Sequence, residues 1–219
     1  MIFLPGIQAG APEFSRLAAL FPEARVLSLP ESRAARLRDI AEELADVLPS
    51  SPVDIVGASF GGLVAMALPA HRVRSLTTIG TLPWRTDAAD RCRNAARILT
   101  FTPERVYGEL YRPRVRRSLA EDGADDAVLN AVSLPPRDVL VARLRAIASF
   151  DLPPLPAFPT TFLWGATDRW VTWTTGALAA RGMEGIVVPG GHRPHLSHPS
   201  EVATWISSRS NSERRHFSR

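Results

Sequence analysis

Residues 53–62 read V-D-I-V-G-A-S-F-G-G. A β-branched apolar run that stops at glycine, presents one serine and resumes through glycine into the apolar stretch 63–68 has the pattern of a strand, a sharp turn and a helix. Gly57 and Gly61 flank Ser59 as G-x-S-x-G, so helix and strand can approach closely while the serine takes a strained conformation with its oxygen exposed. That geometry serves a nucleophile. A serine hydroxyl needs a base before it can attack a carbonyl, the base needs an orienting acid, and the oxyanion that forms needs donors. The chain offers candidates in order: Asp168 follows the strand-like T-T-F-L-W of residues 160–164, and G-G-H-R-P-H-L-S-H-P brings His192, His195 and His198 after the apolar segment 185–189.

The elements that must position these residues alternate. Residues 1–4 read as a strand, 12–20 as a helix with Phe14, Leu17, Ala18 and Phe21 on one face, and 24–29 as a strand. Residues 32–48 place Leu37, Ile40, Leu44, Val47 and Leu48 at helical spacing, with arginines and glutamates elsewhere. Strands follow at 53–56 and 73–79, and a closing helix at 199–207 has His198 as its cap and Pro199 at its first position. Such alternation implies a parallel sheet with right-handed crossovers. The rhythm breaks once, between Gly80 and Thr160, over a stretch too long for a loop. There, residues 87–99, 103–111, 125–134 and 137–150 read as helices separated by Pro, Gly and Arg-Pro punctuation.

Length and composition narrow the class. The 219 residues, 45% of them apolar, suffice for one well-buried α/β core with a small insertion. The single cysteine, Cys92, excludes an intramolecular disulfide and fits a reducing compartment. No basic segment followed by an apolar core and cleavage site opens the chain, and no apolar run approaches the ~20 residues that span a bilayer, so a soluble cytoplasmic protein without membrane partners is expected. All 26 basic residues are arginine. Their excess lies in residues 84–150 and in the tail 207–219, which lacks a periodic apolar face and is expected to be mobile. Nothing in the pattern supports nucleic-acid binding.

The chain order Ser, Asp, His and the loops that carry it resemble the α/β-hydrolases over nearly the whole chain. The resemblance implies an α/β-hydrolase fold whose core comprises residues 1–83 and 151–208, with a helical lid, 84–150, inserted after the fourth strand and a flexible tail, 209–219. Two antiparallel strands that usually open this fold have no residues here. A reduced, mostly parallel sheet of about six strands follows, with 24–29 as an open edge that dimerisation or the tail would cover.

On this pattern Ser59 is the nucleophile, His192, directly after the glycine pair, is the general base in preference to His195, and Asp168 orients it, with Asp87 the nearest fallback. Phe60 supplies one oxyanion N–H. The second comes from the loop L-P-G-I-Q-A-G, where relatives carry H-G-x-G; matching glycine to glycine assigns Ile7, although Pro5 and Gln8 depart from the pattern. No cofactor or metal is expected, since Pro194 and Pro199 break any helix that would align His192, His195 and His198 as ligands. His71 reads as a surface residue, and Trp84, Trp164, Trp170 and Trp173 as packing.

The segment G-G-H-R-P-H-L-S-H-P-S-E-V is similar to that of the pimeloyl-ACP methyl ester carboxylesterases of biotin synthesis. That similarity implies a small acyl ester substrate carried on an acidic acyl carrier protein, which arginines of the lid such as Arg137, Arg143 and Arg145 would dock. The alternatives on the same residues are a thioesterase, the pyruvate-eliminating synthase of the menaquinone pathway, and a ligand receptor without turnover. A base at His192 further implies that the rate falls with acidification.

Overall fold

The computed structural model describes residues 1–8, 10–81, 87–150, 152, 156–171 and 175–216, with side chains for all of these except 87, 88 and 209–216. Among the described residues, six parallel strands form one sheet in the order β2-β1-β3-β4-β5-β6. They are β1 (Ile2–Leu4), β2 (Arg25–Val26), β3 (Val53–Ala58), β4 (Val73–Ile79), β5 (Thr160–Gly165) and β6 (Glu184–Val188). Side chains of a strand alternate between faces, and a parallel sheet must cover both. Ile2, Leu4, Ile55, Phe162 and Trp164 enter one core with helices α2 (Leu37–Ala45) and α3 (Phe60–Met66). Phe3, Val56, Ile79 and Leu163 enter the other, against α1 (Ser15–Ala18) and the apolar residues Val202 and Ile206 near the chain's end.

The described residues between β4 and β5 form four helices: α4 (Asp87–Phe101), α5 (Glu104–Glu121), α6 (Asp126–Ala131) and α7 (Arg137–Ser149). α4 packs on α7, and α7 in turn reaches α2 and α3 of the core. α5 runs through Pro113 instead of ending at residue 111. Proline removes one amide and crowds one carbonyl, but Tyr107, Val115 and Leu119 are buried on both sides of it and hold the helix together. After β5 come α8 (Thr175–Ala179), α9 (Pro194–Ser197) and α10 (Pro199–His216).

Three further expectations change. The edge strand read over 24–29 is only Arg25–Val26, too short to offer the long apolar edge that would demand a cover. The helix read from residue 32 begins at Leu37, because the Ser32 hydroxyl accepts from the Ala34 N–H at 3.0 Å and donates to Glu43 at 2.6 Å, a local turn that competes with helix. The closing helix, read as ending at residue 207, continues to His216. Among the described residues no helix is long and apolar enough to cross a membrane.

Candidate active site

Ser59 stands between β3 and α3 with φ 49 and ψ −111, a positive-φ conformation that a side chain with Cβ adopts only under constraint. Its N–H donates to the Ile79 carbonyl at 2.7 Å, and its own carbonyl accepts from the Thr81 hydroxyl at 3.1 Å. The flanking glycines make the turn possible. A Cβ on Gly57 would lie 2.6 Å from the Gly62 Cα, and one on Gly61 would lie 2.5 Å from the Pro5 carbonyl oxygen and also against that of Leu4.

His192 and Asp168 reach Ser59 from the ends of β6 and β5. The Ser59 hydroxyl is 3.1 Å from His192 Nε2, and His192 Nδ1 is 2.9 Å from Asp168 Oδ2. The other carboxylate oxygen, Asp168 Oδ1, accepts the Trp170 and Val171 N–H groups at 2.7 and 3.0 Å, which fixes the plane of the acid. The Asp168 side chain is fully buried and that of His192 is 11% exposed, so the relay is shielded up to the serine. Gly80 leaves room for it, because a Cβ there would meet the His192 carbonyl oxygen at 2.5 Å and its ring at 3.1 Å.

The sequence-predicted residues thus converge. Ser59, His192, Phe60 and Ile7 line one cavity of about 330 Å³, whose walls are mostly apolar and include Leu144 and Trp170. Phe60 opens α3, where the first four amides of a helix have no intrahelical acceptor. His195 is not at the site: its ring is fully buried, stacked on Phe14 at 4.7 Å, with Nε2 3.4 Å from Glu13. His198 bonds the Ser197 hydroxyl at 2.9 Å, and His71 is exposed. Trp164 is core, whereas Trp170 is half exposed at the cavity with the Arg91 guanidinium 5.5 Å from its ring centre. Trp84, Trp173 and the side chain of the fallback Asp87 lie outside the described residues.

Three groups that sequence reading did not single out hold the loops in place. Glu13, fully buried, accepts the Gly6 N–H at 2.7 Å. Arg193 lies 3.3 Å from Glu13 and 2.5 Å from Asp122, which sits just after α5 and accepts the His192 N–H at 3.0 Å. Burial pushes the Glu13 carboxyl up, but the His195 and Arg193 side chains and the Gly6 amide outweigh it and hold the group below the usual carboxylate range. The one legible signal was an arginine directly after His192; its partners are distant in the chain.

Arg143 corrects a further reading. Counted among arginines free to dock a carrier, it is 7% exposed and donates to the backbone carbonyls of Ile7, Leu29 and Pro30 at 2.9, 3.4 and 3.1 Å. Its position among Val139, Leu140, Leu144 and Ile147 places it on the apolar face of α7, a clue present in the sequence. Arg137 bonds the Thr102 carbonyl and lies 3.1 Å from Glu104, and Arg145 donates to the Thr100 hydroxyl at 3.1 Å.

A parallel sheet flanked by helices, with a strained serine after the third strand and acid and histidine on the last two loops, defines the α/β-hydrolase class. The model of the alpha/beta hydrolase family matches residues 1–205, and the chain belongs to that family. Among solved structures it is similar to a carboxylesterase of the thaumarchaeon Nitrososphaera gargenis, at 12% identity and a TM-score of 0.74, covering 98% of this chain and 90% of that one. An esterase from Thermogutta terrifontis aligns at 20% identity and 0.66, covering 96% and 89%. The enol-lactonase of Burkholderia xenovorans LB400 aligns at 17% and 0.63, covering 94% and 90%. These likenesses establish the fold.

Proposed function

We propose that the protein is a serine hydrolase that cleaves a carboxylic ester through an acyl-enzyme on Ser59. The observation that carries this reading is the unbroken relay from the Ser59 hydroxyl through His192 to Asp168, at 3.1 and 2.9 Å. His192 Nε2 takes the proton as Ser59 Oγ attacks the ester carbonyl, and Asp168 stabilises the imidazolium and its tautomer. The tetrahedral oxyanion is received by the Phe60 and Ile7 N–H groups. Collapse expels the alcohol, which collects the proton from His192. Water, deprotonated by the same nitrogen, then attacks the acyl-serine and releases the acid.

The apolar walls and the volume of about 330 Å³ suit a short to medium acyl chain. The four-helix insertion acts as a lid, since Leu144 of α7 and Cys92 and Ala95 of α4 line the cavity. A pimeloyl-type ester on an acyl carrier protein fits this arrangement, with Arg112, Arg114, Arg116 and Arg117 of α5 exposed for an acidic partner. Hydrolysis of p-nitrophenyl acetate, butyrate and hexanoate by wild type and Ser59→Ala tests the chemistry: turnover abolished by the substitution supports it, and turnover retained in Ser59→Ala refutes it. For the carrier, alanine at the four α5 arginines should raise KM for the carrier-bound methyl ester and leave the p-nitrophenyl esters unchanged. An equal effect on both substrates refutes carrier docking there.

A further inference from the structure

Arg143 is a buried cation whose hydrogen bonds among the described residues all go to backbone carbonyls. No carboxylate lies within ion-pair distance of it among the described residues, and its Nε has no hydrogen-bond partner. Glu31 acts on the guanidinium electrostatically without forming an ion pair, and burial still draws the Arg143 pKa down, so the charge is held at a cost and its bonds to the backbone do what a neutral side chain cannot. What it bonds is specific. Its Nη1 holds the Ile7 carbonyl at 2.9 Å, and its guanidinium centre lies 5.9 Å from the Phe60 ring centre. Ile7 and Phe60 are the two residues whose N–H groups receive the oxyanion in the proposed function, on which this inference rests.

The geometry of the loop makes the bond consequential. A peptide unit is planar, so fixing the units on either side of it fixes the direction of its own N–H. The Ile7 N–H belongs to the unit between Gly6 and Ile7. On the near side the Gly6 N–H is held by Glu13 Oε2 at 2.7 Å, and on the far side the Ile7 carbonyl is held by Arg143. The second amino group of the fork ties the same guanidinium to Leu29 and Pro30, beyond the end of β2, so the anchor is braced against the sheet edge. Arg143 itself rides on α7, part of the insertion that covers the cavity.

We propose that Arg143 is the positioning residue of the oxyanion site: it clamps the Gly6–Ile7 peptide from the insertion helix α7, so that oxyanion stabilisation requires α7 to be docked. The role is transition-state-specific, because the ground-state ester needs no strong donor at its carbonyl oxygen. Loss of one oxyanion donor costs about 10²–10³-fold in kcat, and a donor left present but unclamped should lose roughly 10–100-fold, within that bound.

The test compares wild type, Arg143→Met and Arg143→Lys, each confirmed folded by circular dichroism and thermal melting. Expected are a kcat reduced roughly 10–100-fold in Arg143→Met, a KM within about 3-fold of wild type and an unmoved acid limb of the pH–rate profile, since the His192–Asp168 pair is untouched. Arg143→Lys, a charge without the fork, should recover only a small part. Hydrogen exchange of the peptide covering residues 5–8 should speed up in Arg143→Met while that of β3 does not. A KM rise with unchanged kcat, full recovery by lysine, or wild-type exchange at residues 5–8 overturns the proposal. Absence of ester turnover in wild type overturns the hydrolase reading instead, and the exchange comparison still decides whether Arg143 clamps the loop.

Discussion

Gly61→Ala adds one methyl group at the closest approach between α3 and the end of β1. The new carbon would lie 2.5 Å from the Pro5 carbonyl oxygen and 2.8 Å from the Leu4 carbonyl carbon. Optimal separations are ~3.5 Å or more, and both neighbours are backbone, so relief requires α3 and the Pro5 turn to part by about 1 Å. Overpacking of this kind costs about 1–3 kcal/mol. At ~2–4 °C per kcal/mol for a chain of this size, Tm should fall by roughly 2–12 °C. The two residues proposed to donate to the oxyanion sit on either side of the gap, Phe60 on α3 and Ile7 after Pro5, and a misplacement of ~1 Å would cost on the order of 10²-fold in kcat.

Gly108→Ala on α5 is the matched control. Nothing lies within 4 Å of its added methyl, so alanine there should stabilise by about 0.5–1 kcal/mol through helix propensity and leave kcat unchanged. The propensity gain is shared by both variants, so the difference between them isolates the close approach. Differential scanning calorimetry and p-nitrophenyl butyrate turnover read both quantities. If Gly61→Ala melts and turns over like Gly108→Ala, the packing of α3 against Pro5 does not set the geometry of the site.

Three further outcomes are expected. Asp168→Asn should lower kcat by about 10³–10⁴-fold with a Tm close to wild type, because an amide beside Nδ1 permits the wrong tautomer; a loss below 10-fold would remove Asp168 from the relay. The lowered folded pKa of Glu13 contributes stability that is fully present above the ordinary glutamate value and is lost as pH falls through the folded one. Chemical denaturation of wild type should weaken over that acid range and Glu13→Gln should show a smaller acid loss from a lower neutral starting point; parallel curves would contradict this. Burial pushes the Cys92 thiol up to about 11, so iodoacetamide at pH 8 should label the folded protein far more slowly than the denatured one, and equal rates would contradict its place in the cavity wall.

The alternation of strands and helices and the serine turn were legible because both are local: glycine spacing, β-branched runs and helical periodicity lie within a few residues of each other. Asp168 and His192 were legible because loops at the carboxyl ends of parallel strands must converge. The anchors were not. Glu13 meets Gly6 only because the turn after β1 folds back, and Asp122 meets His192 only because α5 continues past a proline that reads as a stop. Arg143 carried a visible clue, an arginine on the apolar face of a helix, but its acceptors are backbone carbonyls and leave no trace in side-chain identity. The short edge strand was misjudged because apolar content at 24–29 does not reveal that pairing stops after two residues.

The most direct measurement is intact-protein and peptide mass spectrometry after incubation with a p-nitrophenyl alkylphosphonate, for wild type, Ser59→Ala and His192→Ala. A nucleophilic Ser59 activated by His192 predicts one phosphonyl adduct on the peptide containing Ser59, no adduct in Ser59→Ala, and labelling slowed at least ~100-fold in His192→Ala. An adduct on another residue, or equal labelling in His192→Ala, would contradict the acyl-enzyme mechanism.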